Sequence, residues 1–202
     1  MSVEKNLGKL VVVCGPSCSG KTSIIDKFLD SNPNFSRMVS DTTRSPRPGE
    51  TEGVDYFFRS KEKFEELKES GYYIETDEYR PGDFKALPRF YFDNLLKGKS
   101  YISPITVKIG HDFCSHLNLE DSILTEIKPR VIPVYIGVSN LITLYHRFKN
   151  RNDSSSTDSF KATFKKDYED WLKYQDFFSD VIKNDNSIEE SVAELSEIIA
   201  RK

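Results

Sequence analysis

Short apolar runs alternate with amphipathic segments along most of this chain. The apolar runs at residues 10–13, 100–107 and 131–138 predict buried strands. Each run is followed by apolar residues that recur at helical spacing, and Gly, Pro or Ser mark the boundaries. Because strands that alternate with helices form parallel sheets covered by helices, we predict an α/β fold with a parallel central sheet.

Shorter elements fill the rest of the pattern. We predict further strands at residues 37–40, 54–59, 72–75 and 181–182, and helices at residues 21–29, 60–70, 88–97, 160–172 and 187–199. Another helix is predicted to follow Ser139, which caps it. Ser60 and Ser187 are expected to cap their helices, with Glu190 completing a capping box. Residues 41–50 and 151–159 contain no apolar residue and predict a loop and a mobile connection.

Composition restricts the partners and the compartment. The net charge of -3, without a long run of Lys and Arg, gives no basic surface for nucleic acid. Residues 1–7 lack the apolar core of a signal peptide, and no apolar run is long enough to span a bilayer. Three cysteines at no metal-ligand spacing fit reduced thiols. We expect a cytoplasmic protein without nucleic-acid or membrane partners, with a monomer or weak homodimer as the working expectation.

A phosphate-binding loop follows the first predicted strand. The segment Gly15-Pro16-Ser17-Cys18-Ser19-Gly20-Lys21-Thr22 matches the pattern G-x-x-x-x-G-K-S/T. A strand enters this loop and a helix leaves it, so backbone N–H groups and the positive end of the helix point at one anion. Lys21 supplies a point charge to the β and γ phosphates, and the Thr22 hydroxyl is placed to ligate Mg²⁺. The loop and the adjoining Ser23 therefore predict a nucleoside triphosphate site, with Cys18 facing solvent.

A second candidate phosphate site lies in the proline-rich loop of residues 41–50. Arg44 and Arg47 are three residues apart there, with the hydroxyls of Ser40, Thr42 and Thr43 before them and Tyr56 after them. Two guanidinium groups with neighbouring hydroxyls suit a dianionic phosphate, because Arg binds such groups through two hydrogen bonds. The alternative is a solvated surface loop, which many runs of charged residues form.

At this loop the chain resembles the guanylate kinase family. Residues 40–50, Ser-Asp-Thr-Thr-Arg-Ser-Pro-Arg-Pro-Gly-Glu, resemble that family's S-x-T-T-R-x-P-R-x-G-E, and Gly53-Val54-Asp55-Tyr56 resembles its G-x-D-Y. Asn184-Asp185 is similar to the family's N-D-D segment. The resemblance implies a three-layer P-loop kinase fold in one domain of residues 1–202. Its expected parts are a core (1–37, 98–145 and 176–202), a lobe that binds the nucleoside monophosphate (38–97) and a lid (146–175).

The resemblance also implies roles for single residues. Arg44, Arg47 and Tyr56 would hold the phosphate of GMP, and Asn184 would contribute to the ATP site. Glu75 would recognise guanine, because a carboxylate accepts hydrogen bonds from N1–H and N2–H, whereas adenine presents an acceptor at N1. Ser40 would lie near the guanine O6. The catalytic set implied is Lys21, Arg44 and the lid arginines Arg147 and Arg151, with ATP and Mg²⁺ as cofactors. Exposed cations at a helix end are the alternative for the two lid arginines.

Three departures from the family pattern lie near these residues. Phe84-Lys85-Ala86 stands where the family has Tyr-Gly-Ser/Thr, so Phe84 and Lys85 become the expected substrate contacts, with Lys85 meeting a phosphate. Pro104-Ile105-Thr106 replaces Asp-x-Asp, and Asp77, Asp83 and Asp112 are candidates for the lost acids. A later lid arginine falls at Thr163, with possible substitutes at Lys161, Lys165 and Lys166.

Three functions follow from these patterns. The first is an ATP-dependent nucleoside monophosphate kinase of guanylate kinase type. The second keeps the kinase chemistry but transfers the phosphoryl group to a different phosphorylated acceptor, which the departures favour. The third is a non-catalytic guanylate-kinase-like domain that binds a ligand at the former acceptor site, although the complete phosphate loop argues against it.

Overall fold

Strands and helices alternate along the computed structural model, which describes residues 7–116, 122–150 and 157–202. The strands are β1 (Leu10–Cys14), β2 (Phe35–Arg37), β3 (Asp41–Thr42), β4 (Phe57–Phe58), β5 (Tyr73–Arg80), β6 (Asp83–Pro88), β7 (Ser100–Pro104), β8 (Val131–Gly137) and β9 (Val181–Lys183). The α-helices are α1 (Lys21–Ser31), α2 (Lys61–Glu69), α3 (Phe90–Leu95), α4 (Val107–His116), α5 (Ser122–Ile127), α6 (Leu141–Lys149), α7 (Thr157–Tyr174) and α8 (Ile188–Ala200). Two short 3-10 turns, Lys128–Arg130 and Gln175–Phe177, precede β8 and β9.

The central sheet has five parallel strands in the order β2–β7–β1–β8–β9. β1 lies in the middle, where Leu10 pairs with Tyr101 on one side and with Val131 on the other. All five residues of β1 are buried, which explains why it reads as a continuous apolar run. The predicted α/β fold with a parallel central sheet is confirmed.

Helices cover both faces of this sheet and complete three layers. Alternate residues of β1 point to opposite faces, so Leu10 and Val12 enter one apolar cluster and Val11 and Val13 enter another. The first cluster includes side chains of α3, α4 and α5 and receives Trp171 of α7 at its edge. The second packs α1 and α8 on the opposite face. The phosphate loop follows β1 and thus starts from the most enclosed strand of the molecule.

A second sheet, in the order β4–β3–β6–β5, lies within the predicted lobe of residues 38–97. β6 is antiparallel to both β3 and β5, and Pro81-Gly82 forms the turn between β5 and β6. α2 covers this sheet through Phe64, which is fully buried against Tyr73 and Phe84. Ser60 caps α2 by accepting a hydrogen bond from the Lys63 amide, as predicted.

Several predicted boundaries in this region are wrong. Residues 38–40 form no strand; β2 ends at Arg37 and β3 begins at Asp41, inside the predicted loop. The strand predicted at 54–59 covers only Phe57–Phe58, and the one predicted at 72–75 extends to Arg80. No strand is predicted at residues 83–88, where β6 lies, and the helix predicted from Pro88 begins only at Phe90. β6 pairs with β3 and β5, and these long-range pairings decide its structure.

Corrections elsewhere are smaller. The strand predicted at 100–107 ends at Pro104, and α4 begins at Val107. Asn140 caps α6 through its side-chain oxygen, which accepts from the Ile142 amide, so the predicted cap at Ser139 is wrong. The Ser139 amide instead donates to Asp185 at 2.8 Å. Most of the connection predicted at 151–159 lies outside the described residues, and α7 already begins at Thr157. Across the described part of the chain, no helix has the length and apolar character needed to cross a membrane.

The cap of α8 is predicted to stabilise the whole domain. The Ser187 hydroxyl accepts from the Glu190 amide at 3.1 Å, while the Glu190 carboxylate accepts from Asn186 and not from the cap residue. Ser187→Ala should lower the free energy of unfolding by about 1 kcal/mol, because one amide of the first turn loses its acceptor. Ser196→Ala is the matched control in the same helix and should change it by less than about 0.5 kcal/mol. Urea unfolding checks both values, and equal effects would contradict the capping role.

Candidate active site

A cavity of about 1040 Å³ separates the phosphate loop from the arginine-bearing loop of residues 43–50. The phosphate loop and the start of α1 contribute Gly15, Ser17, Cys18, Gly20, Lys21, Thr22 and Ser23 to its lining. The second sheet and its loops contribute Arg44, Arg47, Tyr56 and Lys85. The two candidate phosphate sites, which are separate in sequence, therefore face one space.

Two glycines allow the phosphate loop to bend as it does. Gly15 has a φ of +143°, and a Cβ there would meet the carbonyl oxygen of Ile136 at 2.1 Å. Gly20 has a φ of +96° and precedes α1, where a Cβ would meet Asn184 Nδ2 at 2.3 Å. Both positions combine a left-handed backbone with close packing, so no residue with a side chain fits without displacing its neighbours.

The phosphate loop binds an anionic oxygen in this structure. The Ser17 amide donates a hydrogen bond of 2.7 Å to Oδ2 of Asp167, a carboxylate on α7. A loop amide directed at a carboxylate oxygen has the orientation that phosphate binding requires. The residues present therefore fit a phosphate chain, as the predicted nucleotide site requires.

Lys21 is held within its own loop. Its Nζ donates to the carbonyl oxygens of Gly15 and Pro16, each at 2.8 Å. Burial lowers the pKa of Lys21 below that of a free lysine, and the nearby Asp167 carboxylate opposes this shift. The ammonium group therefore lies close to the loop whose amides would bind a phosphate.

The far side of the phosphate loop is supported by two other predicted site residues. Asn184 is buried and donates through Nδ2 to the Ser19 carbonyl at 2.8 Å, while its Oδ1 accepts from Ser191 at 3.2 Å. Arg147 donates to the Ser19 carbonyl at 3.2 Å and to the Asn184 carbonyl at 2.8 Å. Neither residue lines the cavity, so their position is that of a support for the loop. Arg151 lies outside the described residues.

Three further loop residues differ in their surroundings. Ser19 is fully buried, and Pro16 contributes its carbonyl to Lys21 but no surface to the cavity. Cys18 borders the cavity but is only 5% exposed, because its side chain packs with Leu144 and Phe148. The expectation of a solvent-facing Cys18 is therefore wrong.

The second anion site is built around Glu50. Its carboxylate accepts from Arg44 through two hydrogen bonds, at 2.7 and 2.6 Å, and from the Arg47 amide at 2.8 Å. Burial alone would raise the pKa of Glu50, but the bonds from Arg44 and Arg47 lower it below the usual range. Glu50 is the last residue of the motif at residues 40–50 but does not belong to the predicted site. An acid six residues after an arginine in one short loop was the available signal.

The threonine hydroxyls of this loop have a different use from the predicted one. Thr42 donates to the carbonyl of Phe84 at 3.0 Å, and the Phe84 amide donates to the Thr43 hydroxyl at 2.8 Å. These hydroxyls fasten the loop to β6, so they do not converge on the anion site with Arg44. The expectation that they do is wrong, because β6 was not foreseen as a partner.

Tyr56 and Lys85 form a pair at the floor of the anion site. Lys85 Nζ donates to the Tyr56 hydroxyl at 2.9 Å and lies 4.7 Å from the centre of its ring, while the Arg44 guanidinium lies 5.0 Å from the same centre. Burial alone would raise the pKa of Tyr56, but Lys85 and Arg44 lower it below the ordinary value. The ammonium of Lys85, the hydroxyl of Tyr56 and the guanidinium of Arg44 therefore lie close together in the predicted substrate site.

Phe84 does not belong to this site. Successive residues of β6 point to opposite faces, so Phe84 turns away from the side that carries Lys85. Its ring packs against Phe64 of α2, with ring centres 5.7 Å apart, and it lines no part of the cavity. The prediction of Phe84 as a substrate contact is not supported by this position.

Ser40 and Glu75 line one small recess beside the main cavity. The recess measures about 20 Å³, which is the space of roughly one water molecule. Lys85 and the segment Pro104-Ile105-Thr106 border both spaces. The two residues predicted to recognise a base therefore lie together, next to the anion site.

The acids proposed to replace those lost from β7 are dispersed. Asp77 lines the recess, and its carboxylate lies 3.8 Å from Lys108 Nζ. Asp112 accepts from Lys108 at 2.6 Å and contacts His111, and neither Asp112 nor Asp83 borders the cavity. Within the described residues, no group of three or more His, Cys, Asp or Glu side chains is arranged to hold a metal ion. Mg²⁺ that is held by phosphates needs fewer protein ligands than such a group provides.

One face of α7 lines the cavity and contains two acids that belong to neither predicted anion site. Thr163, Lys166, Asp167 and Asp170 all line the cavity. Burial raises the pKa of Asp167 and of Asp170 above that of a free aspartate. Thr163, Lys166, Asp167 and Asp170 recur at helical spacing in α7, and this spacing was the signal for the polar face. Lys165 lies away from it and pairs with Glu169 at 3.8 Å.

Comparisons with known proteins point in one direction. The family model of guanylate kinase matches residues 7–84. A guanylate kinase of Wolbachia sp. subsp. Brugia malayi is 33% identical over 202 residues, covering 100% of this chain and 96% of that protein. One of Wolbachia pipientis wMel is 34% identical over 98% of this chain and 92% of its own length. The crystal structure of guanylate kinase from Anaplasma phagocytophilum superposes with a TM-score of 0.73 at 27% identity, covering 98% of this chain and 87% of that one.

Gly15 is predicted to be far less replaceable than Gly49, although both have positive φ values. A Cβ at Gly49 meets nothing within 4 Å, whereas one at Gly15 meets a backbone carbonyl. Gly49→Ala should lower the free energy of unfolding by about 1–2 kcal/mol, the cost of the left-handed backbone. Gly15→Ala should lower it by at least about 2 kcal/mol more, because a packed backbone must move. Guanidinium unfolding measures both, and equal losses would show that the close contact at Gly15 is easily relieved.

Lys85 is predicted to control the ionisation of Tyr56. Lys85→Met keeps the length of the side chain but removes its charge, so the pKa of Tyr56 should rise. The measurement is the phenolate absorbance that is lost on Tyr56→Phe, recorded against pH with and without Lys85→Met. Lys61→Met is the control, since Lys61 lies on the exposed start of α2. An unchanged titration in Lys85→Met would contradict the pairing.

Proposed function

The chain belongs to the guanylate kinase family, and from this membership we propose that it transfers the terminal phosphoryl group of ATP to GMP, giving ADP and GDP. The observation that supports this most directly is the single cavity shared by the phosphate loop and the Arg44 loop. Two anion sites that face each other suit a reaction in which one phosphate chain donates to another phosphate. Such a transfer depends on alignment and on neutralising charge, and the protein need not provide covalent catalysis.

The donor half of the site comprises Gly15 to Ser23. Backbone amides of the loop would hold the triphosphate, as the Ser17 amide now holds a carboxylate; Pro16 has no amide hydrogen and takes no part in this. Lys21 would move from the loop carbonyls to the β and γ oxygens. Thr22 would hold Mg²⁺, which neutralises phosphate charge when it is bound. Asn184 and Arg147 would act by keeping the Ser19 carbonyl in place, so that the amides stay directed into the cavity.

The acceptor half of the site comprises residues of the lobe. Arg44 and Arg47 would bind the GMP phosphate, while Glu50 fixes the Arg44 guanidinium and accepts from the Arg47 backbone amide. Tyr56 would contact the GMP phosphate through its phenol. Lys85, whose Nζ lies 2.9 Å from the Tyr56 hydroxyl, would add a positive charge at the same place. Glu75 would accept from the guanine N1–H and N2–H, and Ser40 would contact O6. The recess between Ser40 and Glu75 is too small for a base, so we propose that the lobe shifts when GMP binds.

The proposed lid of residues 146–175 completes the charge neutralisation. Arg151 remains the proposed lid arginine, and Lys166 of α7 already borders the cavity where a later lid arginine would contribute. Lys21 and Arg44 would stabilise the phosphoryl group during transfer from opposite sides. The core (1–37, 98–145 and 176–202) would carry the donor and the lobe (38–97) the acceptor. We further propose a cytoplasmic monomer or weak homodimer that acts on small-molecule nucleotides without nucleic-acid or membrane partners.

A panel of nucleoside monophosphates tests the proposed reaction. With Mg-ATP, the rate of ADP release with GMP should exceed the rate with AMP, CMP or UMP by at least about a hundredfold, since a site built to pair with guanine donors rejects bases that leave its carboxylate unpaired. Lys21→Ala should lower the GMP rate by at least about a hundredfold through lost charge stabilisation. Turnover only with another acceptor would overturn GMP as the substrate. ATP binding that depends on Lys21, without any transfer, would support the non-catalytic alternative.

Glu75 is predicted to set the preference for guanine. Glu75→Gln should raise the KM for GMP by about tenfold or more, because a charge-assisted hydrogen bond contributes about 1.5–3 kcal/mol. Glu66→Gln is the control, since Glu66 lies on the exposed face of α2, pairs with Lys63 and lines neither the cavity nor the recess. Steady-state kinetics with GMP and AMP give both values. A KM that changes equally in the two variants would remove Glu75 from base recognition.

A further inference from the structure

The contact between Asp167 and the phosphate loop joins two distant parts of the chain. Asp167 lies on α7, 150 residues after Ser17, and its Oδ2 accepts the Ser17 amide hydrogen at 2.7 Å. Asp167 lines the cavity together with Gly15, Lys21 and Thr22. A carboxylate therefore occupies an anion-binding amide of the loop from inside the protein.

Lys21 is also engaged by groups that a nucleotide would replace. Its Nζ binds the carbonyls of Gly15 and Pro16, and the Asp167 carboxylate lies close enough to influence its charge. The loop amide and the loop lysine are the two groups that hold the phosphates in this kind of site. Both are satisfied by the protein itself, so binding of a phosphate chain is an exchange of partners.

We propose that Asp167 competes with the phosphates of ATP for the Ser17 amide, so that the nucleotide binds only after this carboxylate leaves the loop. The inference rests on the proposed function, because it concerns the donor half of that site. Competition of this kind raises the apparent Kd, which equals the intrinsic Kd divided by the fraction of molecules whose loop is open. A retained carboxylate would also repel the phosphates, most strongly when no metal ion neutralises them.

The neighbouring charges do not remove the competition. Lys21 and Lys166 attract the Asp167 carboxylate and Asp170 repels it. Burial is the largest influence and disfavours the charged form, while the Ser17 amide favours it. The hydrogen bond to Ser17 is therefore part of what keeps the carboxylate in the loop. A phosphate that takes this amide removes that support.

Asp170 offers a matched comparison. It lies three residues later on α7, lines the same cavity and carries the same charge. Asp167→Asn and Asp170→Asn each remove one negative charge from the cavity, but only Asp167 binds Ser17. Because the Asn oxygen can still accept from the Ser17 amide, a difference between the variants measures what the negative charge adds to this contact, and a common effect measures long-range charge alone.

The test measures binding of metal-free ATP and of inorganic tripolyphosphate by calorimetry in EDTA. Asp167→Asn should lower the Kd of both ligands by about tenfold, equivalent to about 1.4 kcal/mol, and Asp170→Asn by less than about threefold. Equal tightening in the two variants, or no tightening in Asp167→Asn, would overturn the proposal. Wild-type protein that binds no ATP, with or without Mg²⁺, would instead defeat the proposed function itself.

A second readout follows the contact without nucleotide. In the ligand-free protein, Asp167→Asn should shift the amide proton resonance of Ser17, and tripolyphosphate should shift the wild-type resonance in the course of binding. Asp170→Asn should leave that resonance near its wild-type position. Thermal unfolding establishes that each variant is folded, and Asp167→Ser replaces Asp167→Asn if the latter is not. A Ser17 resonance insensitive to both substitutions at position 167 would contradict the contact.

Discussion

The phosphate loop directs the Ser17 amide at a carboxylate that lines the cavity, and carbonyl groups on its other side need hydrogen-bond donors. The Ser19 carbonyl shows how the fold meets this requirement. It accepts from Asn184, which follows β9, and from Arg147 on α6. Because buried carbonyls without partners are unfavourable, the loop can adopt its shape only where these elements meet. The central sheet and the helices beside it are arranged so that they do.

The acceptor loop depends on the orientation of cationic side chains and not on partners for buried carbonyls. Its cations need no burial to be useful, but they need fixed directions, and Glu50 supplies these by binding Arg44 through both oxygens. Thr42 and Thr43 attach the same loop to β6. The lobe thus holds positive groups in position before a substrate arrives, and less conformational entropy is lost when it binds.

The sequence predicted β1, β7 and β8 of the central sheet because these strands are largely buried and two of them read as plain apolar runs. It predicted both anion loops because each needs particular residues at fixed spacing. It did not predict β6, since pairing with β3 and β5 brings together residues far apart in the chain. The contacts of Arg147 were not predicted for a related reason: a cation near a helix end gives no sign that it will bind a carbonyl 128 residues away. Asp167 was missed because a single acid on an amphipathic helix belongs to no motif.

Cys18 joins the donor loop to the helices that follow. Its side chain packs with Leu144 and Phe148 of α6 and with Phe160 of α7. The loop and these two helices are therefore mechanically coupled, since a rotation of either helix would push or pull on the tip of the loop. Opening of the proposed lid would then reshape the triphosphate site as well as uncover it. The affinity for the triphosphate would therefore increase as the proposed lid closes and decrease as it opens.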